Sequence, residues 1–258
     1  MSPFERPHPA RVYDYLLGGR EHFPVDRAAA EAGLVANPSS RVPPRENRGF
    51  LRRVVQHLAA EHGVRQFLDI GTGIPTSPNV HEVAQEIAPD ARTVYVDNDP
   101  IVLAHAGALM RGHTAYVDAD LRDVDRLLAA PGLRDTIDLD RPVALMLVAI
   151  LHFVEDEDKP YDIVRRLVDA LPAGSFLALS HLTGDFDAAA WERVAAVYAR
   201  DGVAMRVRSR EEIAGFFDGL ELLEPGLTVV TRWRPDAGVD RRATDAQVSV
   251  YGGVARVR

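Results

Sequence analysis

The chain contains 258 residues, 47% of them apolar and 26% charged, which is the composition of one globular domain that can bury a core of its own. It contains no cysteine, which excludes disulfides, thiolate nucleophiles and Cys-ligated metal centres, and a single lysine, Lys159, which disfavours P-loop or pyridoxal phosphate chemistry. The net charge of −8 argues against a general nucleic-acid-binding protein. The longest apolar run, residues 143–151, is too short to cross a bilayer, so we expect a cytoplasmic protein without membrane association.

The first 45 residues are interrupted by prolines and contain no strand pattern. Only two short pieces, residues 10–17 and 25–33, have a helical pattern. We therefore interpret residues 1–45 as an N-terminal extension or lid and residues 46–258 as the main domain. The main domain opens with an amphipathic helix predicted over residues 45–61, with Gly63 as its stop.

The middle of the chain alternates between short apolar runs and helical patterns, which predicts a doubly wound α/β fold with a parallel sheet. Residues 144–148 are apolar on both faces, as in a strand covered by helices on each side, although a buried helix has the same pattern. The predicted strands are residues 66–70, 93–96, 115–117, 143–148 and 176–180. The predicted helices between and after them are residues 79–87, 101–109, 123–129, 161–171, 188–199 and 211–217. Two β-rich runs, 227–233 and 247–257, predict an antiparallel hairpin at the sheet edge.

The first predicted strand runs into a turn with two glycines, Gly71-Thr72-Gly73, and a helix follows. Such a turn lets the backbone approach a ligand closely and points helix N–H groups at it. The pattern therefore predicts a nucleotide-containing cofactor. A complete dinucleotide fingerprint would have a third glycine where this chain has Thr76.

Acidic side chains follow the next two strands. Asp97 ends the second predicted strand, where a carboxylate can accept hydrogen bonds from both hydroxyls of a ribose, or can cap the loop. After the third strand, Asp120 is placed to accept from an adenine amino group and Leu121 to pack on the ring. His152 follows the fourth strand, at the edge where ligands bind in open α/β sheets, and is either a packing residue or a general base.

Several motifs together resemble class I S-adenosylmethionine-dependent methyltransferases: FLDIGTG at 67–73, VDNDP at 96–100, DADL at 118–121 and LHFV at 151–154. Further segments are similar to the actinobacterial S-adenosyl methyltransferase family first catalogued as a domain of unknown function. These are ARVYDYLLGG at 10–19, GIPTSPNVHE at 73–82 and YGGVAR at 251–256. The resemblance covers nearly the whole chain.

The resemblance implies a sheet of seven strands in the order 3-2-1-4-5-7-6 with the seventh strand antiparallel. It also implies that the methionine part of S-adenosylmethionine is surrounded by Asp69, Gly71, Thr72 and Gly73, that Asp97 holds the ribose, and that Asp120 and Leu121 meet the adenine. A cationic ligand suits a sheet edge with three aspartates. We add Tyr13, Gly19, Asn98, Ala149 and His152 as candidate cofactor contacts.

The segment from Tyr13 to Gly19 is rich in aromatic residues and glycine, and we expect it to fold over the cofactor. Tyr15 or Tyr13 would then face the methyl group or its acceptor, and Gly18 and Gly19 would give hinge freedom. Alternatively, both tyrosines attach the extension to the core. Tyr15 and His152 are the candidate catalytic residues.

Polar residues outside these motifs are further candidates for contact with the acceptor. Arg45, Arg48 and Arg52 share one helix face, which either recognises an anionic group of the acceptor or faces solvent. His181 and Thr183, after the fifth predicted strand, lie where an acceptor could bind.

The predicted reaction is methyl transfer from S-adenosylmethionine to a nucleophilic atom of a small-molecule acceptor, with proximity and orientation supplied by the protein. No metal is required, and a homodimer is the default assembly. Two alternatives remain open at this point: an NAD(P)-dependent Rossmann oxidoreductase, because Asp97 lies 21 residues after Thr76, and a regulatory protein that binds S-adenosylmethionine without catalysis.

Overall fold

Five apolar strands form the parallel half of one mixed sheet. The structure is a computed structural model that describes residues 5–109, 112–236, 238 and 243–258. The strands are β1 (Gln66–Ile70), β2 (Arg92–Asp97), β3 (Thr114–Asp118), β4 (Ala144–Val148), β5 (Phe176–Leu182), β6 (Glu221–Leu222), β7 (Thr228–Val229) and β8 (Val250–Arg256). Every residue of β1, β4 and β5 is buried, because helices cover both faces of the sheet.

The helices are α1 (Pro9–Leu17), α2 (Pro24–Ala36), α3 (Val42–Glu61), α4 (Val80–Ile87), α5 (Pro100–Leu109), α6 (Val124–Ala129), α7 (Pro131–Arg134), α8 (Pro160–Asp169), α9 (Ala188–Arg200), α10 (Arg210–Ala214) and α11 (Asp245–Val248). Short 3₁₀ turns occupy Pro38–Arg41, Leu151–Phe153, Asp156–Asp158, Gly215–Phe217 and Val230–Arg232. No helix in the described ranges is long and apolar enough to cross a membrane.

The strand order β3-β2-β1-β4-β5-β8-β6 confirms the predicted class I methyltransferase arrangement, with β8 antiparallel to β5. The sheet has eight strands and not seven, because two short strands share the outer edge of β8. β6 pairs with the end of β8, and β7 pairs near its start. The outermost position of the predicted order, that of its strand 6, is therefore divided between two segments of two residues each.

The predicted hairpin of 227–233 with 247–257 is correct in partner and direction but too long. Its first strand ends at Val229, where the chain turns into the 3₁₀ segment Val230–Arg232. Its second strand begins at Val250, because residues 245–248 form α11 and Ser249 adopts a left-handed φ of 44°. Part of the connection, residues 237 and 239–242, lies outside the described residues.

The predicted boundary between residues 45 and 46 falls inside α3, which begins at Val42. Pro43 and Pro44 occupy its first turn, where a helix tolerates proline because the first N–H groups have no intrahelical partner. The prolines therefore start this helix and do not separate it from the segment before. The N-terminal helices pack on the rest of the chain, α2 against α9 and α1 against α3.

Ion pairs hold the N-terminal segment against the loop after β2. Arg11 Nε lies 3.1 Å from Asp99 Oδ2, and His8 Nδ1 lies 2.9 Å from the same oxygen. Asp26 of α2 lies 3.6 Å from the Arg11 guanidinium and accepts a hydrogen bond from the His8 backbone. Because Arg11, Asp26 and Asp99 are buried, these contacts fix α1 at the carboxyl edge of the sheet.

The two glycines of β8 provide a matched test of core packing. A Cβ at Gly252 would lie 2.8 Å from both Phe50 Cζ and Val230 Cγ1, which are side chains of the buried core. At Gly253 the nearest atom would be 3.3 Å away, at Phe217 Cζ. We expect Gly252→Ala to lower the free energy of unfolding by about 1–3 kcal/mol and Gly253→Ala to change it by less than about 1 kcal/mol, measured by urea denaturation. Equal effects of the two substitutions would contradict this packing.

Candidate functional site

A cavity of about 330 Å³ lies at the carboxyl edge of the sheet. Its floor is the turn after β1 together with the ends of β2 and β4, and residues of α1 and α3 form its opposite wall. Ten of the twelve predicted cofactor residues line it: Tyr13, Asp69, Gly71, Thr72, Gly73, Asp97, Asn98, Asp120, Leu121 and Ala149. The parallel strands bring these side chains together because their carboxyl ends meet at one edge.

The two glycines of the turn are required for different reasons. Gly71 has a φ of 74°, and a Cβ there would lie 2.5 Å from Ile150 Cγ1, so no larger residue fits beside the loop after β4. Gly73 has a φ of 67°, and its N–H donates to Asp97 Oδ2 at 2.8 Å. The turn is therefore held to the end of β2 by a carboxylate.

Asp97 is buried and accepts three backbone hydrogen bonds. Besides the Gly73 bond, its Oδ1 accepts from the N–H groups of Asn98 and Asp99, both at 2.9 Å. Burial raises the pKa of Asp97, partly offset by these bonds. A carboxylate accepts about four hydrogen bonds, so Asp97 first organises the loop and keeps roughly one position for a ligand. The predicted contact with both ribose hydroxyls stays a prediction.

Asp120 is occupied by protein groups on both oxygens. Its Oδ1 accepts from the backbone N–H and Nε of Arg122, both at 2.9 Å, and its Oδ2 accepts from Arg122 Nη2 at 2.9 Å and Asn98 Nδ2 at 3.2 Å. Although burial acts in the opposite direction, the bonds from Arg122 keep its pKa below the usual value. The predicted bond from an adenine amino group would have to displace one of these donors.

Asp69, on β1, is a buried carboxylate at the centre of the cavity. Burial raises its pKa to about 6, against the opposing influence of the Arg48 guanidinium and a hydrogen bond with Thr72. Within the described residues neither Asp69 nor Asp97 forms a salt bridge. A cationic ligand would supply the missing charge to both.

Arg48 lines the cavity. The interpretation that its helix face is exposed to solvent therefore does not describe this residue. Its guanidinium donates to the carbonyls of Thr76 and Pro78, in the loop before α4. The neighbouring arginines of the same face do remain at the surface: Arg45 is exposed, and Arg52 contacts Asp236 and Gln56.

Asn47, which we did not predict as a site residue, joins four elements at the cavity wall. Its Nδ2 donates to the Tyr13 hydroxyl at 3.2 Å, and that hydroxyl donates to the Pro44 carbonyl at 3.0 Å. Its Oδ1 accepts from Ser180 Oγ at 2.6 Å, and Ser180 Oγ accepts from the Ala149 N–H at 3.0 Å. This series of hydrogen bonds holds Ala149 at a left-handed φ of 58° beside the cavity.

A second, apolar space of about 60 Å³ adjoins the cavity, and we call it the apolar chamber. It lies between α1, the start of α3, α9 and the edge of the sheet. Six residues line both spaces: Pro9, Tyr13, Asn47, Ala149, Phe153 and Val203. The sequence contains no motif for this chamber, because its walls come from six separate parts of the chain.

His152 lines the apolar chamber and not the cavity. Its ring is 4% exposed, and its pKa is well below the usual value because of burial and, secondarily, of His181 and Arg208. Imidazole is therefore neutral here at physiological pH. His152 therefore lies in the apolar chamber, whose wall it shares with Tyr13 and Ala149, and contributes no wall to the cavity.

Two further candidates lie away from both spaces. Tyr15 does not line either one, and its hydroxyl donates to Glu31 on α2 at 3.0 Å, which favours the alternative of attachment to the core. Gly19 is also outside, because it packs on Asp14: a Cβ at Gly19 would lie 1.9 Å from Asp14 Oδ1. Gly18 ends α1 with a φ of 86°, so this pair of glycines forms a helix end.

His181 and Thr183 likewise contribute no wall to either space. β5 is longer than predicted and includes His181, which is completely buried and lies 2.9 Å from Arg208 Nη1 through its Nε2. Burial lowers its pKa to about 3. Thr183 accepts a hydrogen bond from the Asp185 backbone.

The Asn47 hydrogen bonds should contribute measurably to stability. Asn47→Leu leaves the buried Ser180 hydroxyl without its acceptor and the Tyr13 hydroxyl without its donor, so we expect the free energy of unfolding to fall by about 2–3 kcal/mol in urea denaturation. Ser40→Ala, in the same wall, removes only the bond to the Asn37 carbonyl and should cost about 1 kcal/mol. A cost for Asn47→Leu no larger than that of the control would exclude a joining role for Asn47.

Comparisons with known proteins agree with this geometry. Two solved structures resemble the chain along its length. A DUF574 family protein from Streptomyces avermitilis has 50% sequence identity and a TM-score of 0.96, with coverage of 99% of both chains. A candidate methyltransferase from Thermobifida fusca has 40% identity and a TM-score of 0.92, with coverage of 99% of this chain and 96% of the other. Both organisms are actinobacteria. Among proteins with curated functions, none matches the sequence.

A more distant structure shares the fold. The N-methyltransferase NodS from Bradyrhizobium japonicum, solved with S-adenosyl-L-homocysteine, has 14% identity and a TM-score of 0.50, with coverage of 96% of this chain and 98% of that one. The family model described as S-adenosyl methyltransferase matches residues 3–258. The chain therefore belongs to the S-adenosyl methyltransferase family, whose cofactor is S-adenosylmethionine.

Proposed function

We propose that this protein transfers the methyl group of S-adenosylmethionine to a small-molecule acceptor. The observation that carries the proposal is the pair of buried carboxylates, Asp69 and Asp97, which face the cavity without a salt bridge among the described residues. S-adenosylmethionine has a sulfonium and an ammonium against one carboxylate, so its net positive charge complements this pair. When bound, the cofactor supplies an electrophilic methyl group.

The donor set of the cavity suits each part of that cofactor. Asp69 and the Gly71–Gly73 turn would hold the ammonium of the methionine part, and Arg48 is the nearby cation for its carboxylate. Asp97 would accept from the ribose with its remaining lone pair. Leu121 offers an apolar surface to the adenine, beside the group of Asp120, Asn98 and Arg122.

The chain's own residues would position the acceptor more than activate the donor. Tyr13 and Ala149 lie where the cavity meets the apolar chamber, and the Asn47 hydrogen bonds hold both of them in place. Fixed walls at that junction align the acceptor with the methyl group, which is the main contribution a protein makes to this reaction. His8, Pro9 and Ala10 cover the cavity from the N-terminal side, consistent with a lid. The cytoplasmic location and the homodimer stay predictions.

Calorimetric titration with S-adenosylmethionine, S-adenosylhomocysteine and NADH tests the cofactor assignment. We expect the two adenosyl compounds to bind with one site per chain and NADH not to bind. Binding of NADH alone would favour the oxidoreductase alternative. Slow release of S-adenosylhomocysteine from the S-adenosylmethionine complex, followed by chromatography, is expected of an enzyme and not of a regulatory protein.

The pH dependence of cofactor affinity tests Asp69. Since the raised pKa of about 6 leaves Asp69 mostly protonated at pH 5 and mostly ionised at pH 7, a ligand that requires the ionised form should bind about tenfold more tightly at pH 7. Affinity should therefore rise with pH through 6 and then level off, measured by calorimetry with S-adenosylhomocysteine.

Two variants isolate this effect. Asp69→Asn should bind more weakly and lose most of the rise between pH 5 and 7. Asp118→Asn, which changes an exposed carboxylate at the end of β3, should keep the wild-type profile. An unchanged rise in Asp69→Asn would remove Asp69 from the cofactor site.

A further inference from the structure

The apolar chamber contains two polar atoms whose hydrogen-bonding capacity is unused. Among the described residues, His152 Nδ1 and Trp191 Nε1 have no hydrogen-bond partner, and both side chains are buried, 4% and 3% exposed. Buried polar atoms are normally paired, so each unpaired one needs an explanation. Here both belong to residues that line the same space.

Three other polar side chains of the chamber wall are already paired. The Tyr13 hydroxyl donates to the Pro44 carbonyl, and Ser40 Oγ donates to the Asn37 carbonyl at 2.8 Å. Asn47 is held on both sides by Tyr13 and Ser180. The two unpaired atoms therefore do not reflect a generally loose wall.

The described residues that line the chamber also include no charged side chain. None of them is Asp, Glu, Lys or Arg, and the lowered pKa keeps His152 neutral. A carboxylate, phosphate or ammonium group inside would have no counter-charge and would have to lose its hydration. The chamber therefore suits an uncharged ligand.

The position of the chamber indicates what that ligand is. Ala149 and Phe153, which flank the loop of His152, line both spaces, so the chamber adjoins the cavity proposed for the methyl donor. At about 60 Å³ the chamber is smaller than a cavity that encloses benzene, which is about 150 Å³. A molecule bound here would place one end in the chamber and leave the rest at the junction with the larger cavity.

We propose that the apolar chamber binds the hydroxyl-bearing end of an uncharged, mostly apolar acceptor, through His152 Nδ1 and Trp191 Nε1. This proposal rests on the proposed methyltransferase function and names the acceptor class of the same site. A hydroxyl donates one hydrogen bond, which a neutral imidazole nitrogen accepts, and it also accepts one, which the indole N–H donates. One functional group thus uses both unpaired atoms.

The hydroxyl bound by His152 is the nucleophile. Its oxygen forms the new bond to the methyl carbon while the carbon–sulfur bond breaks, and the electron pair of that bond stays on sulfur as a neutral thioether. The hydroxyl proton passes to His152 Nδ1, and the imidazolium then releases it to water. Because no carboxylate in the described part of the chain lines the chamber to stabilise the imidazolium, the proton transfer is completed only as the methyl group moves.

Binding of simple probes by the full-length protein saturated with S-adenosylhomocysteine tests the acceptor class. Phenol is the probe, and anisole, benzoate and benzylamine are its matched controls. We expect phenol to bind at millimolar or lower concentration in calorimetry, and each control to bind at least about tenfold more weakly. Anisole lacks the donated hydrogen, and the other two are charged.

The two tryptophans of the chain give a second readout. Trp191 lines the chamber, and Trp233 is a core residue whose Nε1 is also unpaired but which lines neither space. In Trp233→Phe, phenol should still change the indole fluorescence and bind with wild-type affinity. In Trp191→Phe, the fluorescence response should disappear and phenol should bind about five- to tenfold more weakly.

Variants of His152 separate binding from proton transfer. His152→Leu should weaken phenol about tenfold and leave the affinity for S-adenosylhomocysteine unchanged, whereas His152→Asn should restore phenol binding because its amide oxygen accepts the hydrogen bond. Three outcomes would overturn the acceptor proposal alone. These are equal affinity for phenol and benzoate, equal phenol affinity of the two tryptophan variants, and no phenol binding to a protein that binds S-adenosylhomocysteine. Failure to bind S-adenosylhomocysteine would instead overturn the proposed function.

Discussion

The side-chain amide of Asn47 is the contact on which the geometry of the ligand spaces depends. It connects α3 to Tyr13 of α1 on one side and to Ser180 of β5 on the other, and Ser180 in turn holds the backbone of Ala149. Buried amides of this kind are costly unless every bond is made, so the four elements can occupy only a narrow range of relative positions. The wall between the cavity and the apolar chamber is thus set by one residue.

Charge is distributed unequally between the two spaces. The cavity has four aspartates, of which Asp120 is neutralised by Arg122 and Asp14 lies 3.2 Å from His22, so that Asp69 and Asp97 remain for a ligand. The negative net charge of the chain does not explain this pair, because most acidic side chains are at the surface. What matters is that these two carboxylates are buried and form no salt bridge within the described part of the chain.

Local patterns in the sequence, namely apolar runs, a glycine turn and carboxylates at strand ends, predicted the parallel strands and most of the cavity floor, and the resemblance to the methyltransferase family supplied the strand order. The sequence did not predict the walls. Asn47 was not predicted as a site residue. It nevertheless lies on the apolar stripe of α3, three residues before Phe50, where a buried polar side chain needs a hydrogen-bond partner. Trp191 has only a packing pattern in its helix, and its unpaired N–H is visible only when distant segments are brought together. Long-range contacts also determine which short strands, β6 and β7, pair with β8.

The separation of a charged cavity from an uncharged chamber has a chemical consequence for the transfer step. In the proposed complex a sulfonium near Asp69 and Asp97 would be stabilised in its ground state, which by itself would slow methyl transfer, since the positive charge is lost as the carbon–sulfur bond breaks. An acceptor oxygen in the apolar chamber is poorly solvated and gains negative character as it loses its proton, so it is attracted most strongly to the methyl carbon in the transition state. In the proposed reaction the two carboxylates therefore favour cofactor binding at a cost to the transfer step, whereas a chamber with no carboxylate among its described lining residues leaves the nucleophile reactive.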